Sequence, residues 1–342
     1  MKLSFCIITK NESENLKRCV QSILPIAFEI IVVDTGSTDN TQTMLKAFNR
    51  DCIKIHEFRD YWDLEHILNF AKARNFSLSK ATGDYIIVID SDEWITEEER
   101  EKIPKALFYK KDVYYIKQAS NRKDGLASFV RNARMFKNGI GIEYRNAIHE
   151  TIEPYSIENK LESAIVDITF EHSGYDLTQE EFHKKLERNL SIHLQQKIDE
   201  PENQSVNHFL ANCYFALKNY SLAMEYCSMS LICNEMPILF KAGACNLMYN
   251  ILKEVNRIES GIEFLKQSIK LVPIQIEARW QLANALYTIG YYDLSLLELN
   301  QIKEIRTNYK ETHLNNDRIL TLDEIEEKIN LVGEQLTYKE TA

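Results

Sequence analysis

The chain has 342 residues, of which 44% are hydrophobic and 27% charged, and its formal net charge is -10 at pH 7. This length suffices for two domains, and the composition is that of a folded globular protein. The negative charge argues against a general affinity for nucleic acid or anionic lipid, and no apolar run reaches the roughly 18 residues that a membrane-spanning helix needs. The start of the chain enters a strand pattern directly, without a signal peptide, so we expect a cytoplasmic protein.

The cysteines are odd in number, lie among apolar neighbours and form no Cys-x-x-Cys pair. They are Cys6, Cys19, Cys52, Cys213, Cys227, Cys233 and Cys245. Reduced thiols in the core are therefore expected, rather than a disulfide framework or a zinc site.

The amino-terminal half alternates short apolar strands with helices. The pattern predicts strands at 3–9, 28–34, 53–58 and 85–89, and helices at 11–23, 42–48 and 64–80. Because the connections are short, the economical architecture is α/β, with a mostly parallel, doubly wound, Rossmann-like sheet.

An acidic cluster follows the strand at 85–89. The run Asp90-Ser91-Asp92-Glu93 puts three acids at the carboxyl end of a strand, where open α/β sheets bind ligands. Such acids repel one another and need a countercharge, and a divalent cation is the usual one. On this pattern alone, an ordinary acidic turn remains an equal alternative.

Further polar residues collect at the ends of the other predicted strands. They are Thr9, Asn11 and Glu12 after the first strand, and Asp34, Ser37 and Asp39 after the second. This pattern predicts a nucleotide-type crevice, although the chain has no phosphate-cradling Gly-x-Gly-x-x-Gly or Walker motif. We therefore expect a metal on the Asp-x-Asp to meet the phosphate charge.

Four segments, in the expected order, resemble family 2 glycosyltransferases of the GT-A fold. They are Ile7–Glu12, Glu29–Asp39, Ala73–Asn75 and the stretch from Gly83 to Asp92. The resemblance implies a nucleotide-sugar donor, most of all a UDP-sugar, and a divalent metal, Mn²⁺ or Mg²⁺.

The same resemblance implies roles for single residues. The residues that would border the nucleotide-sugar are Thr9, Asn11, Glu12, Asp34, Ser37, Arg74, Asp90 and Ser91, and the metal would contact Asp92, Asp90 and His172. Asp34 would recognise the base or ribose, and Arg74 would lie near the diphosphate or base. Two alternatives stay open: Asp39 as a mere helix cap, and Arg74 as a mere ion-pair partner.

The acceptor side is predicted after residue 130. Residues 131–141 read as a strand and a turn, and 142–152 as strand-like. In the related enzymes an Arg-x-Phe segment and a His-Glu lie where the acceptor meets the sugar, so Glu150 is the predicted general base. His149 is second choice, or an orienting or metal-contacting group. Glu150 could instead merely pair with Arg131 or Arg145.

His172 lies in a segment, 170–175, that resembles the His-x-Gly-Tyr closing this domain in the same enzymes. The resemblance implies contact with phosphate or metal, and a structural histidine is the alternative.

From residue 176 the periodicity becomes helical and repetitive. A linking helix is predicted at 177–200, followed by tetratricopeptide-like repeats over 201–342, so residues 1–176 form the predicted catalytic domain. The small residues Ala223, Gly261 and Ser295 are 38 and 34 positions apart, close to the repeat length of 34. Such an array stacks into a short solenoid with a concave face.

The whole combination resembles the sublancin-type peptide S-glycosyltransferases of glycocin bacteriocins. This implies inverting, metal-dependent transfer to a peptide or protein, on Cys or Ser. Four alternatives stay open: a cell-envelope saccharide or lipid-linked acceptor, repeats that only form a homodimer, a non-catalytic scaffold, and a nucleotidyltransferase.

Overall fold

The computed structural model describes residues 1–59, 69–121, 127–172, 178–234, 236–308 and 321–341. The chain divides into two compact units, Met1–Leu177 and Thr178–Ala342. The helix predicted as a linker is present as Gln179–Asp199, and it belongs to the second unit. The predicted domain limits otherwise stay predictions.

The first unit is built of eight strands and five helices among its described residues. The strands are β1 Leu3–Thr9, β2 Glu29–Asp34, β3 Ile53–Glu57, β4 Tyr85–Val88, β5 Glu93–Trp94, β6 Val113–Asn121, β7 Ala127–Lys137 and β8 Ser163–His172. The helices are α1 Ser13–Ile23, α2 Thr41–Ala47, α3 Phe70–Leu78, α4 Glu97–Ala106 and α5 Glu153–Glu158.

The strands form one mixed sheet in the order β3-β2-β1-β4-β7-β6-β8-β5. The first four run parallel, whereas β7 pairs antiparallel with both β4 and β6. Every residue of β2 and β4 is buried, as expected for central strands covered on both faces. This confirms the predicted α/β domain, whose parallel part is its amino-terminal half.

The strand order positions the site. From β1 the chain proceeds outward through β2 to β3 and then returns to β4 on the other side of β1. A crevice opens outside the carboxyl ends of the strands at such a reversal. The residues that follow β1, β2 and β4 are those that the sequence assigned to ligand binding.

Two predicted elements of the first unit differ from the elements that the structure describes. The strand-like reading of 142–152 is wrong: this part is a loop with one isolated antiparallel bridge between Arg145 and Thr151. Asn146 and His149 have φ of 72° and 56°, and a left-handed backbone interrupts extended pairing. The predicted helix at 64–80 is described only as α3, because residues 64–68 lie outside the described residues.

The second unit is all helical in its described part. Its helices are α6 Gln179–Asp199, α7 Ser205–Ala216, α8 Tyr220–Ile232, α9 Ile238–Glu254, α10 Ile258–Leu271, α11 Ile276–Thr288, α12 Tyr292–Asn308 and α13 Leu322–Thr341. The small residues at the repeat spacing are buried in α8, α10 and α12. These helices bear out the predicted repeats. Within the described ranges, no helix combines the length and hydropathy that crossing a bilayer requires.

Candidate active site

Asp90, the first residue of the acidic cluster, is bound by two arginines. Its Oδ1 accepts a hydrogen bond from Arg74 Nη2 at 2.6 Å, and its Oδ2 accepts one from Arg134 Nη2 at 2.7 Å. Burial alone would raise the pKa of Asp90, but the two guanidinium groups outweigh it and hold this pKa well below its usual range. Two arginines therefore supply countercharge at Asp90, and its predicted contact with a metal stays a prediction.

Arg74 also reaches the predicted base. Its Nε donates to Oε1 of Glu150 at 2.5 Å, and the two side chains are 8% and 13% exposed. One guanidinium thus joins the end of β4 to the loop that follows β7. Arg74 is therefore an ion-pair partner of two carboxylates, and its contact with a diphosphate stays a prediction. Glu150 does not pair with Arg145, which binds Glu158 with both of its terminal nitrogens.

Asp92 lies beside His172 at the edge of the same cluster. Strand β5 pairs with β8 so that Glu93 lies opposite His172, and Asp92 Oδ2 is 3.0 Å from His172 Nε2. Burial alone would lower the pKa of His172, but the hydrogen bond to Asp92 and the neighbouring acids raise it above its ordinary value. The carboxylate of Asp92 is 35% exposed, so it faces the crevice more than Asp90 does.

A divalent cation at this pair stays a prediction, because the 3.0 Å between Asp92 Oδ2 and His172 Nε2 is the length of a hydrogen bond. The chemistry of the two side chains suits such an ion. Carboxylate oxygen and imidazole nitrogen both suit Mn²⁺, and carboxylate suits Mg²⁺. Among the residues described, no three His, Cys, Asp or Glu side chains converge as a complete metal site. Phosphate oxygens and water would have to complete the coordination.

The predicted nucleoside-binding residues tie two strand ends together. Asp34 is fully buried, and its oxygens accept from the backbone of Gly36 and Ser37 and from Gln42 Nε2, at 2.7 to 2.8 Å. Asn11 accepts from the amide of Thr38 at 2.7 Å. In this structure Asp34 therefore holds the turn after β2, and its contact with a base or ribose stays a prediction.

The remaining predicted residues lie around these groups. Thr9 is buried, and its carbonyl accepts from Thr35, while Ser91 occupies the turn before Asp92. Burial and the nearby Asp92 and Asp39 raise the pKa of Glu12, although a hydrogen bond from Asn15 opposes this. The acid that follows β4 therefore lies close enough to the acid that follows β1 to raise its pKa.

Two of the open alternatives concern local backbone. Asp39 accepts from the amide of Thr41 at 3.0 Å, which makes an Asx turn just before α2, whose N-cap residue is Asn40. His149 is exposed and lies next to Glu150 in a left-handed conformation.

Two residues of the cluster were not predicted as site residues, although Glu93 belongs to the acidic run and Arg134 to the Arg-x-Phe segment. Arg134 is buried on β7, and Glu93 is buried with its Oε2 accepting from the amide of Asp90 at 2.8 Å. Burial raises the pKa of Glu93 to about 7, although Arg134 opposes this. A signal for Arg134 was available: it lies among the apolar residues Ala133, Met135 and Phe136, where a buried charge must find a partner.

Known proteins resemble this chain in sequence. Residues 4–161 match the family model for Glycosyl transferase family 2. The amino-terminal unit is a family 2 glycosyltransferase domain. The chain is 28% identical over 231 residues to glycosyltransferase SunS of Bacillus subtilis (strain 168), covering 66% of this chain and 52% of SunS. It thus spans about half the length of that relative.

A second relative is described as a repeat protein. A TPR repeat-containing protein of Synechococcus elongatus is 30% identical over 152 residues, which are 44% of this chain and 36% of that protein. Together these matches confirm the predicted family 2 domain with tetratricopeptide-like repeats.

Among solved structures, S. aureus TarS aligns with the chain at a TM-score of 0.45 and 14% identity, over 76% of this chain and 55% of that one. TarS 1-349 in complex with UDP aligns at a TM-score of 0.42 and 16% identity, over 91% of each chain.

Proposed function

We propose that this protein transfers a sugar, with inversion, from a nucleotide-sugar donor to a peptide or protein acceptor. A UDP-sugar is the expected donor, and the acceptor atom is the sulfur of a Cys or the oxygen of a Ser, as in glycocin-type modification. The observation that carries the proposal is the set of charged residues at the strand reversal of a family 2 domain. There Asp92 pairs with the buried His172, and Arg74 links Asp90 to Glu150.

On the donor side, Asp92 and His172 would hold a divalent cation, Mn²⁺ or Mg²⁺. When bound, this ion neutralises the negative charge that develops on the departing diphosphate. Asp90 stays ionised because of its two arginines, so it can accept hydrogen bonds from ribose hydroxyls at physiological pH. Asn11, Glu12 and Ser37 border the same crevice at the neighbouring strand ends.

On the acceptor side, Glu150 is the proposed general base. Arg74 holds its Oε1, which leaves Oε2 to take the proton from the attacking thiol or hydroxyl. A well-placed base contributes roughly 10²- to 10⁴-fold in rate. Attack from the face opposite the diphosphate inverts the anomeric centre. His149 is the second candidate because it is exposed and adjacent to Glu150.

The proposal of a peptide acceptor rests on the second unit. Its helices bury their apolar faces against neighbouring repeats, and arrays of this kind present extended concave surfaces that bind extended partners. The resemblance of the whole sequence pattern to peptide glycosyltransferases points the same way.

The decisive experiment measures nucleotide release from a panel of UDP-, GDP- and dTDP-sugars, with and without Mn²⁺. We expect slow, metal-dependent hydrolysis of one donor by the wild type and its loss in Asp92→Asn. Asp167→Asn is the matched control, because Asp167 is 94% exposed on β8, the strand that also carries His172. If no donor in the panel releases its nucleotide, and no nucleotide binds in a thermal shift assay, the proposal is refuted.

The acceptor is tested next with the active donor. Incubation with peptides that contain Cys or Ser should produce a mass increase of one sugar residue, located on one of these side chains. Transfer only to a cell-envelope saccharide or a lipid-linked acceptor would retain the enzyme class and overturn the peptide half of the proposal.

A further inference from the structure

Helix α3 holds the loop that carries Glu150 at three points. We call residues 144–151 the base loop. The amide of Phe70 donates to the carbonyl of Ala147 at 2.7 Å, and Arg74 binds the Glu150 side chain. The third contact is Asn75 with the backbone of Tyr144: Nδ2 donates to the Tyr144 carbonyl at 2.9 Å, and Oδ1 accepts from the Tyr144 amide at 2.8 Å.

The base loop has little regular structure of its own. It is closed by two backbone hydrogen bonds between Arg145 and Thr151, at 2.9 and 3.1 Å. Within it, Asn146 and His149 adopt left-handed backbone conformations, so no strand ladder runs through it. Its contacts with α3, together with the burial of Tyr144, Ala147 and Ile148, therefore hold it relative to the end of β4.

Asn75 is suited to this task. An amide side chain carries both a donor and an acceptor, so it can bind one residue's carbonyl and amide together, as a neighbouring strand would. Tyr144 is buried, and its ring lies 5.6 Å from the guanidinium carbon of Arg74. Arg74 and Asn75 are consecutive, so one turn of α3 fixes both the backbone of the base loop and the Glu150 carboxylate.

We propose that Asn75 is a positioning residue for Glu150: it anchors the base loop, while Arg74 orients the carboxylate relative to Asp90. This inference rests on the proposed function, in which Glu150 is the general base. A base must lie within hydrogen-bond reach of the proton that it removes, and a displacement of about 1 Å costs on the order of 10²-fold in rate.

Whether Asn75 anchors the base loop is tested by hydrogen exchange on the full chain. Asn75→Ala should speed exchange of amides in the base loop at least about tenfold. Asn138→Ala is the matched control, because Asn138 also binds backbone with its amide, donating to the carbonyls of Ala81 and Gly83 before β4, whereas Asp90 follows that strand. It should leave the base loop unchanged. Unchanged exchange in Asn75→Ala would overturn the inference.

The effect of Asn75 on catalysis is tested by a double-mutant cycle with Glu150. The first probe is UDP-glucose with Mn²⁺; if it is not hydrolysed, the donor that is active in the panel is used. Asn75→Ala should lower kcat for nucleotide release about 10- to 100-fold in the wild-type background and less than twofold in Glu150→Gln. The Kd for UDP should stay within twofold. Asn138→Ala should change kcat by the same factor in the wild-type and the Glu150→Gln backgrounds. Equal losses from Asn75→Ala in both backgrounds would show that it does not act through Glu150.

The two hypotheses fail separately. If the wild type releases nucleotide from no donor, the proposed function falls, and hydrogen exchange alone decides whether Asn75 anchors the base loop. If the wild type is active and the cycle is additive, the proposed function stands and the positioning role falls.

Discussion

Asp90 and Asp92 are two positions apart in the chain, yet their carboxylates have different surroundings. Asp90 binds two buried arginines, whereas Asp92 is more exposed and faces His172. The difference arises because Arg74 and Arg134 approach from α3 and β7, whereas His172 ends β8. At the scale of single residues, the first acid therefore organises the site and the second is the candidate for ligand binding.

This difference predicts stability effects of different size for two similar substitutions. In Asp90→Asn one arginine would face an amide donor in place of a carboxylate oxygen, and removing one partner from a buried charge network costs about 3–5 kcal/mol. Asp92→Asn should change the free energy of unfolding by less than about 1 kcal/mol. Urea denaturation of both variants measures the difference. Equal stability of the two would contradict the assigned roles.

At the scale of elements, Glu29 joins the amino-terminal ends of the parallel strands. It begins β2 and is buried, and it accepts from Ser4 Oγ on β1 at 2.6 Å and from Lys54 Nζ on β3 at 2.5 Å. The amide of Thr82, before β4, donates to it at 2.6 Å. One carboxylate thus links four segments at the edge of the sheet opposite the candidate active site.

Glu29 makes stability depend on pH. Burial alone would raise its pKa, but the hydrogen bonds from Lys54, Ser4 and Thr82 outweigh burial and lower the pKa from 4.5 to about 2. Because the pKa is depressed in the folded state, about 3 kcal/mol of stability is present above pH 4.5 and is lost as the pH falls towards 2.

The measurement is urea unfolding between pH 7 and pH 3. Glu29→Gln should be less stable than the wild type at pH 7. The gap between their free energies of unfolding should narrow as the pH falls. Glu14→Gln, at an exposed position of α1, should follow the wild type. A gap that is constant with pH would contradict the assignment.

The repeat helices meet at closely packed small residues. A Cβ at Gly261 on α10 would lie 2.9 Å from Cδ2 of Tyr249 on α9, whereas a Cβ at Gly333 on α13 would meet nothing within 4 Å. Gly261→Ala should therefore destabilise the second unit by about 1–3 kcal/mol through overpacking.

Gly333→Ala, on another helix, should have the opposite effect on stability. It should stabilise the second unit by roughly 0.5–1 kcal/mol, because Gly in a helix interior loses more conformational freedom on folding than Ala. Thermal unfolding of both variants checks the pair. Similar shifts of Tm in the same direction would show that the packing at Gly261 is not limiting.

At the scale of the whole molecule, the two units allow donor chemistry and acceptor recognition to be separated. A protein of residues 1–177 should hydrolyse the donor at a rate within about tenfold of the full chain, since the charged cluster lies within the first unit. It should lose most transfer to a peptide if the repeats bind the acceptor. Transfer assays with both proteins, together with their masses by light scattering, test this. Retained peptide transfer by a monomer, with a dimeric full chain, would instead assign the repeats to homodimer formation.

Local patterns in the sequence determined the strands, the repeats and the position of the acidic cluster. The β-branched run before Asp90 predicts a buried strand because only a doubly covered strand tolerates continuous apolar residues. The spacing of Ala223, Gly261 and Ser295 indicates stacked helix pairs because each pair buries its face against the next. These signals lie within one element or one repeat, so no fold is needed to see them.

Only the tertiary structure decided which charges meet. Arg74, Arg134 and Glu150 lie up to 76 residues apart along the chain, and their pairing follows from the order of β4, β7 and α3 around one strand end. The loop at 142–152 was mistaken for a strand because its left-handed residues leave no mark in the hydrophobic pattern. The sequence shows which residues carry charge, and the fold determines their partners, because electrostatic pairing depends on distance through space.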